Sequence, residues 1–301
     1  MAGPVATRID REKCIGCGFC IAVCPDRTLC LDGDVATVCG TECMNCGHCQ
    51  AVCPVGAISV ITPAMNFSTF NEDLRWLPFG DFDLGSLVRL MRSRRSCRNY
   101  TNQQVSRAML EDLVRIGTTA PSGTNSQGWT FTILDRRDEV VSLGNHVAAF
   151  FKKLNNMAEN PLLRLASRLF GRDRLGSYYR SYYQTISHGL HEWEEEGVDR
   201  LFHGATAVIL VGGTEHASCP AEDALLATQN ILLAAHAMGL GTCLIGFAVE
   251  AIRHEPAMKA LFAIPAGESV YSVIALGYPA EKYLQVCGRK PVVPRYPGRA
   301  G

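Results

Sequence analysis

Eight cysteines carry the clearest chemistry in this 301-residue chain. Cys14, Cys17, Cys20 and Cys24 are answered by Cys43, Cys46, Cys49 and Cys53, and Pro25 and Pro54 follow the last of each run. Doubled C-x₂-C-x₂-C-x₃-C-P spacing is that of an iron–sulfur protein with two four-iron clusters, the fourth cysteine of each run serving the other cluster. A cubic cluster takes a thiolate at every iron, and a tight loop can supply three. Gly16, Gly18 and Gly47 lie in those loops, where the backbone must curl and leave N–H groups facing sulfur. The expected sets are Cys14, Cys17, Cys20 and Cys53 for one cluster, and Cys43, Cys46, Cys49 and Cys24 for the other. Zinc accepts C-x₂-C pairs but has no use for the third cysteine of each run. A disulfide framework needs an oxidising compartment, and Met1 to Lys13 contains no apolar stretch resembling a secretion signal.

These residues resemble a bacterial-type two-cluster ferredoxin over about residues 5 to 61. The remaining cysteines, Cys30, Cys39, Cys97, Cys219, Cys243 and Cys287, have no ligand-like spacing and read as reduced thiols, so a cytoplasmic location is expected. Lys plus Arg and Asp plus Glu both number 29, which leaves no basic excess for nucleic acid. Up to Val60 the chain has four basic and six acidic residues, a weak asymmetry that could orient an electron-transfer partner. Ala224 to Val249 lacks Asp, Glu, Lys and Arg, but Thr228, Gln229, Asn230 and His236 interrupt it. It reads as a core helix rather than a membrane span.

The elements that must position this chemistry divide the chain into residues 1–62, a connecting segment 63–82, and residues 83–301. A short strand is expected at Ala57 to Ile61. Leu84, Leu87, Val88 and Met91 form a helical stripe, and Ser106 caps a second helix carrying Met109, Leu110, Leu113, Val114 and Ile116. Strands are expected at Thr130 to Asp135, Ala207 to Val211 and Val270 to Ala275. Helices are expected at Glu139 to Leu154, raggedly from Pro161 to Trp193, and at Glu222 to Met238. Strands separated by long helical segments indicate an α+β class. Gly239-Leu-Gly241 follows a helix rather than a strand, the wrong context for a Rossmann dinucleotide site.

Arg89, Arg92, Arg94, Arg95 and Arg98 place five guanidinium groups in ten residues, a type of fork that suits phosphate. Arg94-Arg-Ser-Cys-Arg-Asn-Tyr100 is followed by Ala120-Pro-Ser-Gly-Thr-Asn-Ser-Gln-Gly-Trp129, Gly239-Leu-Gly-Thr-Cys-Leu-Ile-Gly246 and Leu276-Gly-Tyr-Pro279. Together these segments resemble the FMN-dependent nitroreductase superfamily over about residues 84 to 301. The resemblance implies a nitroreductase-like central sheet with surrounding helices, preceded by the small ferredoxin-like iron–sulfur domain. It also implies FMN held as follows. Arg94, Arg95, Ser96 and Arg98 match the segment around the phosphate and ribityl chain. Pro121, Ser122, Gly123 and Asn125 match a turn that covers the flavin of the partner subunit, and Gln127 a polar contact near the ring. Leu244, Ile245 and Gly246 match the strand beside flavin N5, and Arg289 with Lys290 a late basic contact to phosphate. Gly128 stands where that family usually carries Pro.

The expected protein is a homodimeric oxidoreductase. Electrons would pass through two 4Fe–4S clusters to FMN, which would reduce a small organic acceptor such as a nitroaromatic, quinone or activated double bond. No side chain in the motifs is an obvious general acid. Two alternatives stay open: NAD(P)H could reduce the flavin and the clusters pass electrons outward, or the chain could be a non-catalytic electron-transfer adaptor. The donor is accordingly external ferredoxin or NAD(P)H, and neither nucleic acid nor membrane is expected as a partner. His188 and His191, followed by Glu192 and Glu194 to Glu196, lack a third distinct ligand for a metal. Tyr178, Tyr179, Tyr182 and Tyr183 are expected to pack a helix with some contribution to a lid, and substrate choice is expected to reside in residues 145–202.

Overall fold

The computed structural model describes residues 3–61, 65–71, 75–170 and 173–298. Its first module is built twice from the same pattern. Strand β1 (Thr7–Ile9) precedes the first cysteine loop and helix α1 (Phe19–Ala22). The hairpin β2 (Leu29–Asp32) and β3 (Val35–Val38) follows, then the second loop, α2 (His48–Ala51) and β4 (Ile58–Val60). β1 pairs antiparallel with β4 and β2 with β3. Each short helix starts on a left-handed glycine, Gly18 at φ 74° and Gly47 at φ 76°, so the two cysteine loops share one local geometry. Cys20, Leu29, Ala36, Cys49, Ile58 and Val60 form the small core between the halves.

The connecting segment is anchored at Ser68 and Thr69. Their backbone N–H groups donate to the Asp112 carboxylate at 2.7–3.0 Å, and the Thr69 hydroxyl donates to it at 2.7 Å. The second module then runs α3 (Leu84–Ser93), α4 (Arg107–Gly117), β5 (Trp129–Leu134), α5 (Arg137–Glu159), α6 (Pro161–Phe170), α7 (Arg174–Ser181) and α8 (Tyr183–His191). A π-helical turn, Glu192–Glu196, leads to β6 (Ala207–Thr214), α9 (Pro220–Ala237), β7 (Gly241–Leu244), α10 (Gly246–His254), α11 (Pro256–Leu261) and β8 (Glu268–Gly277). Asp83 caps α3 by accepting from Ser86 N–H, and Ser106 caps α4 by accepting from Met109 N–H.

The sheet is antiparallel throughout, in the order β5-β6-β8-β7. β6 explains why both of its faces are covered. Val208 and Leu210 join α5 and α10 residues such as Leu143, Val147 and Ile252 in one core. Ala207, Ile209 and Val211 join Leu110 and Leu113 of α4 and Ala227 and Ile231 of α9 in the other. This three-layer arrangement is the α+β fold expected from the sequence. The Ala224–Val249 stretch is divided among α9, β7 and α10, with Ala224, Ala227, Thr228 and Ile231 buried. Among the described residues no helix is long and apolar enough to cross a membrane.

Some expected elements differ in extent. α5 starts two residues before the predicted helix and continues five beyond Leu154. The ragged stretch resolves into α6, α7, α8 and the π turn. The β2–β3 hairpin, α10 and α11 have no counterpart in the sequence reading, because four to nine residues give too short a period to read, and β7 overlaps the strand implied at Leu244 to Gly246 only at Leu244. The α3 stripe carries a different lesson. It is amphipathic as expected, yet α3 has no buried residue, and Leu84 is 70% exposed.

Candidate functional site

The eight cysteines come together as two sets. Cys14, Cys17, Cys20 and Cys53 line one cavity, and Cys24, Cys43, Cys46 and Cys49 line the other. The crossover follows from the fold: Cys24 and Cys53 sit just past α1 and α2, where the chain leaves for the opposite half. Several sulfurs accept hydrogen bonds, from Ala36 N–H at Cys14 (3.4 Å), Thr28 N–H at Cys24 (3.3 Å), Asn45 N–H at Cys43 (3.3 Å) and Ala57 N–H at Cys53 (3.2 Å). Such donors favour thiolate. Burial opposes ionisation of Cys53, but the backbone N–H groups of Ala57, Val55, Ile58 and Gly56 outweigh it and hold the thiol below its usual range. Burial pushes Cys20 and Cys49 up. Among the described residues no three His, Cys, Asp or Glu side chains converge on a single metal ion. Thiols arranged around a cavity rather than a point suit a cluster with an iron behind each sulfur, so the donor set fits iron–sulfur better than zinc.

The second constellation lies where the chain leaves α3. Ser96 bridges in parallel to Thr242 on β7, and Cys97 N–H donates to the Thr242 carbonyl at 2.9 Å. Gly241 makes that approach possible, since a Cβ there would stand 2.7 Å from the Cβ of Cys97. The segment is further held by Tyr100, whose buried hydroxyl donates to the Cys97 carbonyl at 2.9 Å. Arg94 and Arg95 are half-buried, and Ser96 and Arg98 exposed. Burial, and then the nearby guanidinium groups of Arg289 and Arg95, press the Arg94 pKa down. Arg289 and Arg95 thus both act on Arg94 as like charges. Among the described residues Arg94, Arg95 and Arg98 form no ion pair with a carboxylate. Such a site is poised for a multiply charged anion.

Arg289 lies on the exposed C-terminal stretch and acts on Arg94 as a like charge, whereas Lys290 beside it is exposed and makes no hydrogen bond or ion pair among the described residues. Leu244 ends β7 and is 49% exposed, while Ile245 is buried and Gly246 opens α10. Only Leu244 of the three expected strand positions is therefore in the strand. The exposed edge it forms with Gly246 adjoins the arginine turn.

Pro121 to Gln127 is held elsewhere. Gly123 N–H donates to Asp223 Oδ1 at 3.0 Å and the Ser126 hydroxyl to Oδ2 at 3.3 Å, tying the turn to the start of α9. Gln127 N–H donates to Ser122 Oγ at 3.0 Å, and its side-chain amide to Asn125 Oδ1 at 3.1 Å. Thr124, Asn125 and Gln127 all adopt positive φ, 49°, 53° and 47°. For β-branched Thr124 that is strained backbone, which persists because these contacts over-determine the turn. Gly128 lies against Ala217, whose Cβ would be 2.7 Å from an added one, which gives this turn its own reason to depart from proline. Asn125 also reaches the first module: its side-chain amide donates to the Met44 carbonyl at 2.9 Å and the Asn45 carbonyl at 3.2 Å. The turn and the end of β7 do not share one place in the chain. Trp129 lies opposite Gly213, itself opposite Ser269, whereas Leu244 lies opposite Ile274. Strand spacings put these points on the order of 20 Å apart.

Sequence reasoning missed Asp223 and the apolar chamber between α5 and α8. A cavity of about 140 Å³ is lined by Val147, Phe151, Ile186, Leu190, Trp193 and Phe247, among others. Phe247 follows Gly246, so the chamber adjoins the β7 end. The tyrosines mostly pack: Tyr178 donates to Asn155 at 2.6 Å, Tyr183 donates to Glu159 at 2.6 Å, and Arg164 lies 4.2 Å over the Tyr179 ring. Tyr182 instead meets Phe247 edge-on. Glu192 of the histidine-rich helix is gripped by Arg200 in a two-point pair at 2.6 and 2.9 Å, with His188 at 3.7 Å.

The nitroreductase family's sequence profile matches residues 91–278, and that of the 4Fe-4S binding domain matches residues 7–29. A 4-nitrobenzoate reductase of Nocardioides is 24% identical over 203 residues, 63% of this chain and 78% of that protein. An NADH dehydrogenase of Thermus thermophilus is 25% identical over 191 residues, 63% of this chain and 84% of its own. A nitroreductase crystal structure with bound FMN from Bacteroides fragilis is 21% identical, with 69% of this chain and 94% of that one covered at a TM-score of 0.49. With the arginine turn, the antiparallel sheet and the cysteine loops in place, the profile match over most of the second module means that the chain belongs to the nitroreductase family and carries a 4Fe-4S binding domain at its N-terminal end.

Proposed function

We propose that this protein is an FMN-dependent oxidoreductase in which two 4Fe–4S clusters and a flavin share one polypeptide, divided as residues 1–62, 63–82 and 83–301. When bound, FMN supplies two-electron chemistry and the clusters carry single electrons. Arg94, Arg95, Ser96 and Arg98, with Arg289 and less directly Lys290, hold the phosphate end. The backbone of Leu244, Ile245 and Gly246 orients the ring, and Pro121, Ser122, Gly123, Asn125 and Gln127 cover it. Cys14, Cys17, Cys20 and Cys53 hold one cluster, and Cys24, Cys43, Cys46 and Cys49 the other. The observation that carries this reading is the arginine turn docked on β7 through Ser96 and Cys97, on the same chain as two four-cysteine cavities.

The separation of the covering turn from the β7 end supports a homodimer in which each copy completes the other's flavin site. The bare stripe of Leu84, Val88 and Met91 on α3 and the exposed Leu225 and Leu226 on α9 supply an apolar face for that pairing. The acceptor is a small organic molecule, nitroaromatic, quinone or activated double bond, and the chamber beside Phe247 suits an aromatic body. The two cysteine quartets would hold the clusters, which would carry single electrons in from an external donor. Anaerobically purified protein should contain about eight irons and one FMN per chain, and colourless material without bound metal or flavin would overturn the proposal. Direction is tested by comparing reduced ferredoxin and NADH as anaerobic donors: rapid flavin bleaching by NADH alone would reverse the flow.

A further inference from the structure

The two cysteine loops are alike in sequence but sit in different surroundings. The second, Cys43 to Cys46, is pinned from two sides. On one side Ala6 N–H donates to Asn45 Oδ1 at 3.0 Å, the Asn45 amide donates to the Pro4 carbonyl at 3.1 Å, and Met44 N–H donates to Asp26 at 2.7 Å. On the other side Asn125, in the turn assigned to the flavin, donates to the carbonyls of both Met44 and Asn45. Gln127 and Asp223 hold that turn in its strained shape. Among the described residues the first loop has no such hydrogen bond to the second module. Cys17 is exposed, and Ile15, Phe19 and Val55 around it are 61%, 56% and 40% exposed.

Resting on the cofactor reading above, we infer that the Cys24, Cys43, Cys46 and Cys49 set is the inner centre, held against the flavin turn with Asn125 as the positioning residue, and that the Cys14, Cys17, Cys20 and Cys53 set is the outer centre, open to an external one-electron donor. Each donor molecule is oxidised by one electron, so two donor oxidations match one two-electron reduction of flavin, with protons taken from solvent. Asn125 orders the path by fixing which loop faces the turn. Its carbonyl partners are backbone groups, so the interaction does not depend on the side chains at positions 44 and 45.

Anaerobic holoprotein with counted iron and FMN provides the test. Amide hydrogen exchange in the wild type should be about tenfold slower over residues 43–47 than over 14–19, as expected when two further hydrogen bonds must open. Asn125→Ala and Asn125→Asp should each speed exchange over 43–47 severalfold, the Ala6, Pro4 and Asp26 contacts remaining, while leaving 14–19 unchanged. In stopped-flow mixing with reduced ferredoxin, Asn125→Ala should slow the flavin-bleaching phase at least tenfold per bound flavin and leave the earlier cluster phase within about twofold. Equal protection of the two loops in wild type, an unchanged 43–47 segment in the variants, or a slowed cluster phase with an unaltered flavin phase would each overturn the order. Wild-type protein lacking iron or flavin would instead refute the cofactor reading.

Discussion

Arg94 is half-buried beside two other cations, and it would gain most from an anion. A guanidinium stays charged at neutral pH, so repulsion from Arg289 and Arg95 persists until an anion offsets it. Arg94→Ala should therefore weaken FMN about tenfold to a hundredfold, the scale of one or two lost charge-assisted hydrogen bonds, as read by fluorescence titration. An unchanged dissociation constant would remove the arginine turn from the site. Asp223 acts one step back, because both carboxylate oxygens hold the Ser122–Gln127 turn. Asp223→Ala should relax that turn and lower flavin occupancy severalfold, and the cysteine-held iron should remain. Equal loss of iron and flavin would indicate general unfolding instead.

At the scale of elements, the connector and the α5–α8 chamber make separate predictions. Asp112 is fully buried on α4 and binds Ser68, Thr69 and Arg115. Burial alone would raise its pKa, but those donors outweigh it and hold the carboxyl below the usual range. A depressed acid stabilises the fold above its unfolded pKa and loses that contribution as pH falls through the folded value. Asp112→Ala should cost about 2–4 kcal/mol at neutral pH by loss of a buried hydrogen-bonding centre. The gap in urea midpoint between variant and wild type should narrow toward about pH 4 and below. A constant gap would mean that the carboxylate charge is not what anchors the segment. Gly189 lines the apolar chamber, and nothing lies within 4 Å of a Cβ built there. Gly189→Leu should fill the chamber without straining α8 and raise KM for a nitroaromatic acceptor about tenfold, against a pocket term of about 1–3 kcal/mol. Flavin content should not change; an unaltered KM would move the acceptor out of this chamber.

The whole molecule joins modules that were legible to very different degrees. The two cysteine quartets could be read directly, since cluster chemistry demands fixed residue types at fixed spacing, and each quartet lines one cavity. Central strands such as β6 were visible as apolar runs, and α4 and α9 as capped or unbroken helices. β7 was placed only through the resemblance, and up to two residues past its end, because four residues beside a glycine-rich turn have no period of their own; its pairing with β8 creates it. Arg289 could be named, but its like-charge influence on Arg94 arises only in the folded chain. At this scale the homodimer reading predicts a mass of two chains in solution, and substitution of Leu84 and Val88 by Glu should yield monomers depleted of FMN. Monomers with full flavin would show that one copy suffices.

By itself, the order of residues determined the two matched cysteine runs, the cationic turn and the alternation of helices with strands. Each depends on local spacing, which covalent geometry preserves in any fold. Tertiary structure alone decided that Asp223 holds the strained turn, that the apolar stripe of α3 stays bare, and that Asn125 meets the second cysteine loop rather than the first. Those outcomes join residues about eighty to a hundred positions apart, and contacts across such distances are set by how two sheet faces and two modules pack, which no local pattern encodes.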